Sequence, residues 1–273
     1  GAGQGTLTFS NSANINANIG TAAKRLNNVD FVGTSATDIV DINANIFANN
    51  INVGAQTIRA KQNIELNGAT SFNNGSNIDL GINKITLKNG NSRIVGASGL
   101  NVTLDANKVT GSIIVDATGG GATNLDFTNA TALSINVNDS FAMLPASDET
   151  YTLISTANGG TITPIAANIA KVSSTGNNFV EWSLNGNSLV RKNVAGSFLT
   201  NTLGTGDKEL LQDALQFVNA GNKGKAAAYA SELARMDNNR LKESLERSSE
   251  QNSVHAVEIA SSLLESTNAA INN

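Results

Sequence analysis

The pentapeptide Ile15-Asn16-Ala17-Asn18-Ile19 recurs unchanged as Ile42-Asn43-Ala44-Asn45-Ile46, 27 residues further along the chain. In both copies the apolar residues occupy alternate positions, which is the period of a strand with one buried face. The alternation continues in shorter units, each followed within a few residues by Asn, Gly or Ser: Ile64-Glu65-Leu66, Ile78-Asp79-Leu80, Ile85-Thr86-Leu87, Val102-Thr103-Leu104, Leu125-Asp126-Phe127 and Ile135-Asn136-Val137. The first half of the sequence therefore predicts many short strands separated by closely spaced turns.

Two architectures are built from many short strands, a sandwich of two sheets and a solenoid of stacked coils. A sandwich favours longer strands, regular hairpins and an aromatic core, whereas only 4% of this chain is aromatic. Aliphatic residues at alternate positions suit a narrow core of stacked layers, and Asn at turns tolerates left-handed backbone and stacks in ladders. A coil of three strands with turns needs roughly 20 residues or more. We predict a right-handed parallel β-helix over residues 1–138, with a sandwich-like all-β domain as the alternative.

Residues 139–200 have a different composition, because both prolines and much of the aromatic content fall there. Longer strands are predicted in this segment, and Asn185-Gly186-Asn187 is a hairpin signal between two of them. The last coil of a solenoid exposes a raw sheet edge that a terminal cap is expected to cover. We predict that residues 139–200 form an aromatic β cap. Its candidate core consists of Tyr151, Phe179, Trp182, Leu184 and Val190.

Residues 201–273 are predicted to form an α-helical tail, because the β alternation stops and 17 of the 40 charged residues lie between 207 and 273. Asp207 is a candidate helix cap, a second helix is predicted from about Lys225 to Met236, and a third starts near Asp237. The apolar stripes of these helices either form an internal core or contact a partner, which would be another subunit or a following domain. The candidate partner-binding face comprises Leu241, Leu245, Val254, Val257 and Leu264.

The stretches LPASDETYTLISTANGG (144–160) and FVEWSLNGNSLV (179–190) resemble the C-terminal passenger region of bacterial autotransporters, the segment often called the autochaperone. The Asn-rich repeats and IGTAAKRLNNVDFVG (19–33) look like the rickettsial surface cell antigens of the outer-membrane protein A and B type. This resemblance implies secretion through an outer-membrane β-barrel that follows the passenger in the same protein. It also implies display on the bacterial surface and a role in virulence.

The composition argues against several other classes. A net charge of −4 gives no electrostatic footprint for nucleic acid. The absence of Cys excludes disulfide scaffolds and thiolate metal sites. His255 is the only histidine, and one His without Cys cannot form a His-based zinc site. We therefore predict no catalytic, cofactor-binding or metal-binding residues. The opening residues read as the middle of a longer chain, so we expect the sequence to be a fragment.

Parallel β-helices include polysaccharide-degrading enzymes, which need clustered carboxylates. In this sequence the acidic residues of the repeats are scattered, and Asp38 and Asp41 are the closest pair. We therefore predict a non-enzymatic, surface-exposed adhesin or structural protein for host-cell attachment. Its expected partners are a host-cell surface protein or a further copy of the chain, together with its own barrel. The alternatives are a self-associating surface-layer component and, less favoured, a glycan-degrading enzyme.

Overall fold

The computed structural model describes residues 3–119, 122–141, 143–203, 212, 214–216, 218 and 232–247 of the chain. The chain divides into two compact units. The first consists of residues 1–141, 147–176 and 181–192, and the second of residues 142–146, 177–180 and 193–273.

Short strands dominate the described residues, as the alternation of apolar residues predicts. They are β1 (Thr6–Phe9), β2 (Ala13–Ile15), β3 (Leu26–Phe31), β4 (Ile39–Ile42), β5 (Ile46–Val53), β6 (Thr57–Ala60), β7 (Ile64–Phe72), β8 (Asn77–Gly81), β9 (Lys84–Lys88), β10 (Ser92–Ile94), β11 (Gly96–Leu104), β12 (Ser112–Asp116), β13 (Asn124–Asp126), β14 (Ala130–Asp139), β15 (Glu149–Thr152), β16 (Ile154–Ala157), β17 (Thr161–Ile162), β18 (Ala170–Thr175), β19 (Val180–Asn185) and β20 (Ser188–Asn193).

Two long parallel sheets contain most of these strands. One has the order β1-β3-β5-β7-β10-β13-β17, with β9, β12 and β16 joined to it beside β7, and the other has the order β2-β4-β6-β8-β11-β14-β18. The chain passes from one sheet to the other and back, so each turn adds its strands next to those of the preceding turn. The long strand β7 pairs with both β9 and β10, and later turns contain three separate strands each. The prediction of a mainly β chain with short strands in parallel register is confirmed.

The repeated pentapeptide marks two neighbouring turns of the chain. Ile15 of β2 pairs with Ile42 of β4, and Ile19 forms a parallel bridge with Ile46. The identity of the two segments therefore reflects equivalent positions in the stack. In the same sheet, Ile58 pairs with Ile78, and Ile78 pairs with Leu100, so the offsets there are 20 and 22 residues.

Apolar side chains from successive turns form columns in the interior. One column contains Val40, Ile58, Ile78, Leu100 and Ile135, each at most 1% exposed. Since apolar area removed from water is the main favourable term in folding, these columns are the principal source of stability in the first unit.

The parallel sheets continue beyond residue 138, where the repeats were predicted to end. Strand β14 extends to Asp139, and β16, β17 and β18 add a further turn to both sheets. Both prolines that suggested a change of fold lie in connections around this turn, whereas Tyr151 and Trp182 lie in strands β15 and β19. The cap predicted at 139–200 therefore includes one more parallel turn.

A small antiparallel sheet with the order β15-β20-β19 lies within the predicted cap. Strands β19 and β20 are joined by the two-residue turn Gly186-Asn187, so the predicted hairpin is confirmed. Gly186 has φ of 58°, while Asn187 is not among the residues with positive φ. This is the geometry of a type II′ turn, which requires Gly at its first central position.

The second unit contains the described helices. Helix α1 (Ala195–Leu203) starts inside the segment predicted as β, because the Asn193 side chain accepts a hydrogen bond from the Ala195 amide at 3.0 Å and caps the helix. Residues 238–247 are also helical, and Asp237 caps them by accepting from the amides of Asn239 and Arg240. The predicted helix starts at Asp207 and Lys225 lie outside the described residues.

In the described part of the chain, no helix has the length and apolar character needed to cross a bilayer.

Candidate functional site: a buried arginine cluster

The candidate cap residues lie in two places. Tyr151 in β15 and Trp182 in β19 face each other, with ring centroids 5.5 Å apart. Val190 is buried in β20 and Leu184 is half-buried in β19. Phe179 belongs to the second unit, where its ring contacts Phe198 edge to face at 5.7 Å. The structure therefore brings Tyr151 and Trp182 together, whereas Phe179 packs in the other unit.

Arg191 of β20 is completely buried and lies at the centre of a charged cluster. Its Nε donates a hydrogen bond to Asp139 Oδ2 at 2.8 Å, its Nη1 donates to Glu149 Oε2 at 3.1 Å, and its Nη2 donates to the Phe141 carbonyl at 3.2 Å. A guanidinium group is suited to this role because its donors are arranged in a rigid planar fork.

Two further side chains donate hydrogen bonds to the carboxylates. Trp182 Nε1 donates to Asp139 Oδ2 at 3.3 Å, and the Tyr151 hydroxyl donates to Glu149 Oε2 at 2.9 Å. The aromatic pair predicted as cap core therefore also donates hydrogen bonds, from Trp182 to the buried Asp139 and from Tyr151 to the half-buried Glu149.

A lysine from an earlier turn closes the cluster. Lys108 Nζ donates to Glu149 Oε1 and lies 5.1 Å from the centre of the Phe141 ring. The Arg191 Cζ lies 5.3 Å from the same ring, so two cations share one aromatic residue. We call the following seven residues the arginine cluster: Lys108, Asp139, Phe141, Glu149, Tyr151, Trp182 and Arg191.

The fold positions the cluster through three connections. Asp139 is the last residue of β14, and Glu149 of β15 is the direct antiparallel partner of Arg191 in β20. Lys108 has φ of 60° in a turn after β11 that is held by Asp105, whose carboxylate accepts from the Asn107 and Val109 amides. The cluster thus joins the end of a parallel strand, the antiparallel sheet and a loop of an earlier turn.

The cluster pairs two cations with two carboxylates, and its hydrogen bonds shift the pKa values of Glu149 and Tyr151. Burial alone would raise the pKa of Glu149, but hydrogen bonds from Lys108, Tyr151 and Arg191 outweigh it and hold the pKa below its ordinary value. Burial, together with the hydrogen bond to Glu149, raises the pKa of the Tyr151 hydroxyl. Glu149 is therefore ionised and Tyr151 neutral at physiological pH, which favours a fixed ion network over proton transfer.

Sequence reasoning missed the charged members of the cluster, although one signal was present. In β20, Leu189 and Arg191 lie on the same face, and both are completely buried. A period-2 pattern counted from Leu189 therefore places Arg191 at an inward position, whereas one counted from Val190, which is also buried, places it outward. A charge at an inward position requires buried partners.

The candidate partner-binding face is only partly described. Leu241 and Leu245 are both buried within the chain, which is the placement expected of an internal core. Val254, Val257 and Leu264 lie outside the described residues, as does His255.

The scattered acids of the repeats have structural partners. Arg59 lies between Asp41 and Asp79 on three neighbouring strands, with its Nη1 3.5 Å from Asp41 Oδ1 and its Nε 2.9 Å from Asp79 Oδ2. Asp38 accepts hydrogen bonds from the Thr34 and Ser35 amides and holds a turn. Among the described residues, no group of three or more His, Cys, Asp or Glu side chains converges as a metal site would require.

No protein-family model, curated protein or solved structure matches the chain. The function is therefore inferred from the stacked strands, the arginine cluster and the resemblance carried by residues 144–160 and 179–190.

Proposed function

We propose that the chain is a right-handed parallel β-helix that serves as the passenger segment of a surface-exposed autotransporter, with a structural and adhesive role at the bacterial outer membrane. The arginine cluster is the main observation behind this proposal, because it lies where the regular turns give way to a different sheet. In this role the stacked turns form a stiff stalk, and the cluster locks the end of the stalk by holding the antiparallel sheet against strand β14.

The parallel turns suit a stalk because neighbouring turns are joined by side-chain hydrogen bonds on the outer surface as well as by apolar packing in the core. Asn50 Nδ2 donates to Asn28 Oδ1 at 3.0 Å, and Asn136 Nδ2 donates to Asn101 Oδ1 at 2.8 Å. Such amide ladders add directional bonds between turns without adding charge. A surface of this kind favours an extended protein that resists proteolysis.

The arginine cluster suits a terminal lock because its ions are costly to bury separately. Removing a charged side chain from water costs several kcal/mol, and this cost is offset only when the opposite charge and the hydrogen bonds are in place. Arg191 lies 52 residues after Asp139 and 42 residues after Glu149, so the cluster is complete only when β14 and the antiparallel sheet have both formed. Its completion therefore favours a single end structure over partly folded ones.

The locking role is tested by display on the surface of a bacterium. The chain is fused between a signal peptide and an autotransporter barrel, and protease-resistant passenger on the surface is measured. We expect Arg191→Met to lower the resistant fraction strongly. Lys192→Met is the matched control, since Lys192 is the next residue and its side chain is 46% exposed. Equal resistance of both variants and the wild type would contradict the locking role.

The adhesive role is tested separately with the purified chain. We expect saturable binding to cultured host cells that is lost in the Arg191→Met variant only to the extent that the variant unfolds. Concentration-dependent assembly in sedimentation without binding to cells would instead support the surface-layer alternative. Turnover of a bacterial or host glycan would support the enzyme alternative.

A further inference from the structure

The sequence contains Asn followed by Gly at five positions: Asn67, Asn74, Asn89, Asn158 and Asn185. In such a pair the backbone nitrogen of Gly can attack the side-chain carbonyl carbon of Asn, because Gly has no Cβ to obstruct the approach or restrict the backbone. The attack needs a side chain that can rotate and a following amide that is free to react. The structure distinguishes the five pairs by these two conditions.

Asn67 and Asn89 are held by each other, since Asn89 Nδ2 donates to Asn67 Oδ1 at 2.8 Å. Asn67 Oδ1 also accepts a hydrogen bond from Arg25 Nη2, and the Asn67 residue is 5% exposed. Neither side chain can rotate toward the following nitrogen without breaking this network.

Asn74 and Asn158 are also held. Asn74 Oδ1 accepts from the Ala97 amide at 2.9 Å, and the amide of the following Gly75 donates to the Ala97 carbonyl at 2.7 Å. Asn158 Nδ2 donates to Asp116 Oδ1 at 2.8 Å and to Thr118 Oγ1 at 2.7 Å.

Asn185 differs from the other four. It is the exposed last residue of β19, and the described residues provide no hydrogen-bond partner for its side chain or for the Gly186 amide. A Cβ placed on Gly186 would meet nothing within 4 Å, so the space around the reacting atoms is open.

We propose that Asn185 is a site of spontaneous deamidation in the folded protein. The Gly186 nitrogen loses its proton and forms a bond to Asn185 Cγ, the bond from Cγ to Nδ2 breaks, and ammonia leaves. The product is a five-membered succinimide. Water then adds to one of its two carbonyl carbons, and the ring opens to aspartate or to isoaspartate. The net reaction consumes one water and releases one ammonia.

The modification has a structural consequence at the hairpin between β19 and β20. The Asn187 carbonyl accepts hydrogen bonds from the Leu153 and Ile154 amides at 3.1 and 3.0 Å, so the turn also holds the start of β16. Isoaspartate lengthens the main chain at residue 185 by one carbon atom, and either product adds a negative charge. Ageing at this position therefore loosens the antiparallel sheet that contains Arg191.

The test is peptide mapping by mass spectrometry after incubation of the folded chain in mildly alkaline buffer. We expect the acid and isoaspartyl forms to accumulate at Asn185 several-fold faster than at Asn74 or Asn158. The same incubation in urea should bring the five rates close together, because the folded contacts are then absent. A rate at Asn185 in the folded chain no higher than at Asn74 and Asn158 would overturn the proposal.

A blocked variant separates the modification from general ageing. Asn185→Gln lacks the five-membered ring closure, so its melting temperature should stay constant during the incubation while that of the wild type falls. Asn185→Asp carries the new charge with an unchanged backbone. Its melting temperature should therefore be lowered less than that of a wild-type sample rich in isoaspartate. A parallel decline of wild type and Asn185→Gln would show that modification at Asn185 does not loosen the sheet.

Discussion

The interior of the parallel turns and the arginine cluster both bury one face of a strand, the first with aliphatic side chains and the second with charged ones. In the turns, Ile58, Ile78 and Leu100 stack in register, and each new turn repeats the contact made by the last one. In the cluster, Arg191 is as completely buried as those aliphatic residues. Its contacts are directional, few and made to residues from several parts of the chain.

The difference shows that two parts of one unit differ in how well they tolerate a shift in strand register. An aliphatic column is tolerant, because a shift of register by one turn still places an apolar residue on an apolar residue. A buried ion network tolerates no such shift, since an ion left without its partner is costly. We therefore expect the columns to supply most of the stability and the cluster to fix where the stack ends.

The largest effect is expected from a charge placed in a column. Ile135 is completely buried between Leu100 and Val172 of the neighbouring strands. We expect Ile135→Asp, and likewise Val102→Asp, to abolish cooperative thermal unfolding measured by circular dichroism, because an unpaired carboxylate cannot be buried there. Asn136→Asp, which places the same charge at the next, exposed position, should melt cooperatively. Retained folding in Ile135→Asp would break the idea that the columns carry the stability.

The second effect concerns the cluster. We expect Arg191→Met to lower the free energy of unfolding by about 3–5 kcal/mol, because Asp139 is left buried without its cation. Lys192→Met should cost less than about 1 kcal/mol, since it removes only an exposed ion pair with Asp148. The double variant Asp139→Leu, Arg191→Met should recover part of the loss in urea denaturation. A double variant as unstable as the sum of the single ones would show that the two side chains act independently.

The same contrast explains which parts of the fold could be predicted from the sequence. The columns were visible as alternation around Ile78 and Val102, because each strand carries its own pattern. Which turns are neighbours was only partly visible, since the offset is 27 residues at Ile15, about 20 at Ile58 and 35 at Leu100. Those offsets depend on loop lengths, which the alternation does not encode.

The cluster could not be assembled from the sequence, because its members span residues 108–191 and have no common spacing. Tyr151 and Trp182 were predicted as a core, and they do contact each other, but their hydrogen bonds depend on acids that no local pattern connects to them. The one local signal was the alternation of Leu189 and Arg191, and the apolar Val190 between them makes that signal ambiguous.

The third prediction uses pH to separate a second polar network from the columns. Asp116 Oδ1 accepts hydrogen bonds from the side chain of Thr118 and from Asn158, and these lower the pKa of Asp116 to about 2. Because this value lies below that of about 3.9 in an unfolded chain, the group stabilises the fold above about pH 4, and the contribution is lost as pH falls towards 2. We expect the wild type to lose stability across this window more steeply than Asp116→Asn in thermal melts. An identical dependence of melting temperature on pH in the two proteins would mean that the partners of Asp116 do not lower its pKa on folding.

The smallest effect is expected on the outer face of the parallel turns, where charges are present but not buried. The Arg59 and Asp79 side chains are 34% and 25% exposed, so their pairing is screened by water. We expect Asp79→Asn to change the free energy of unfolding by less than about 1 kcal/mol. Asp105→Asn should likewise have little effect, because an asparagine oxygen can still accept from the amides of its turn. A loss in Asp79→Asn as large as that of Arg191→Met would remove the contrast between an exposed ion pair in the stack and the buried one at its end. Loss of a measurable catalytic activity in either variant, without loss of stability, would instead show that these acids serve a reaction.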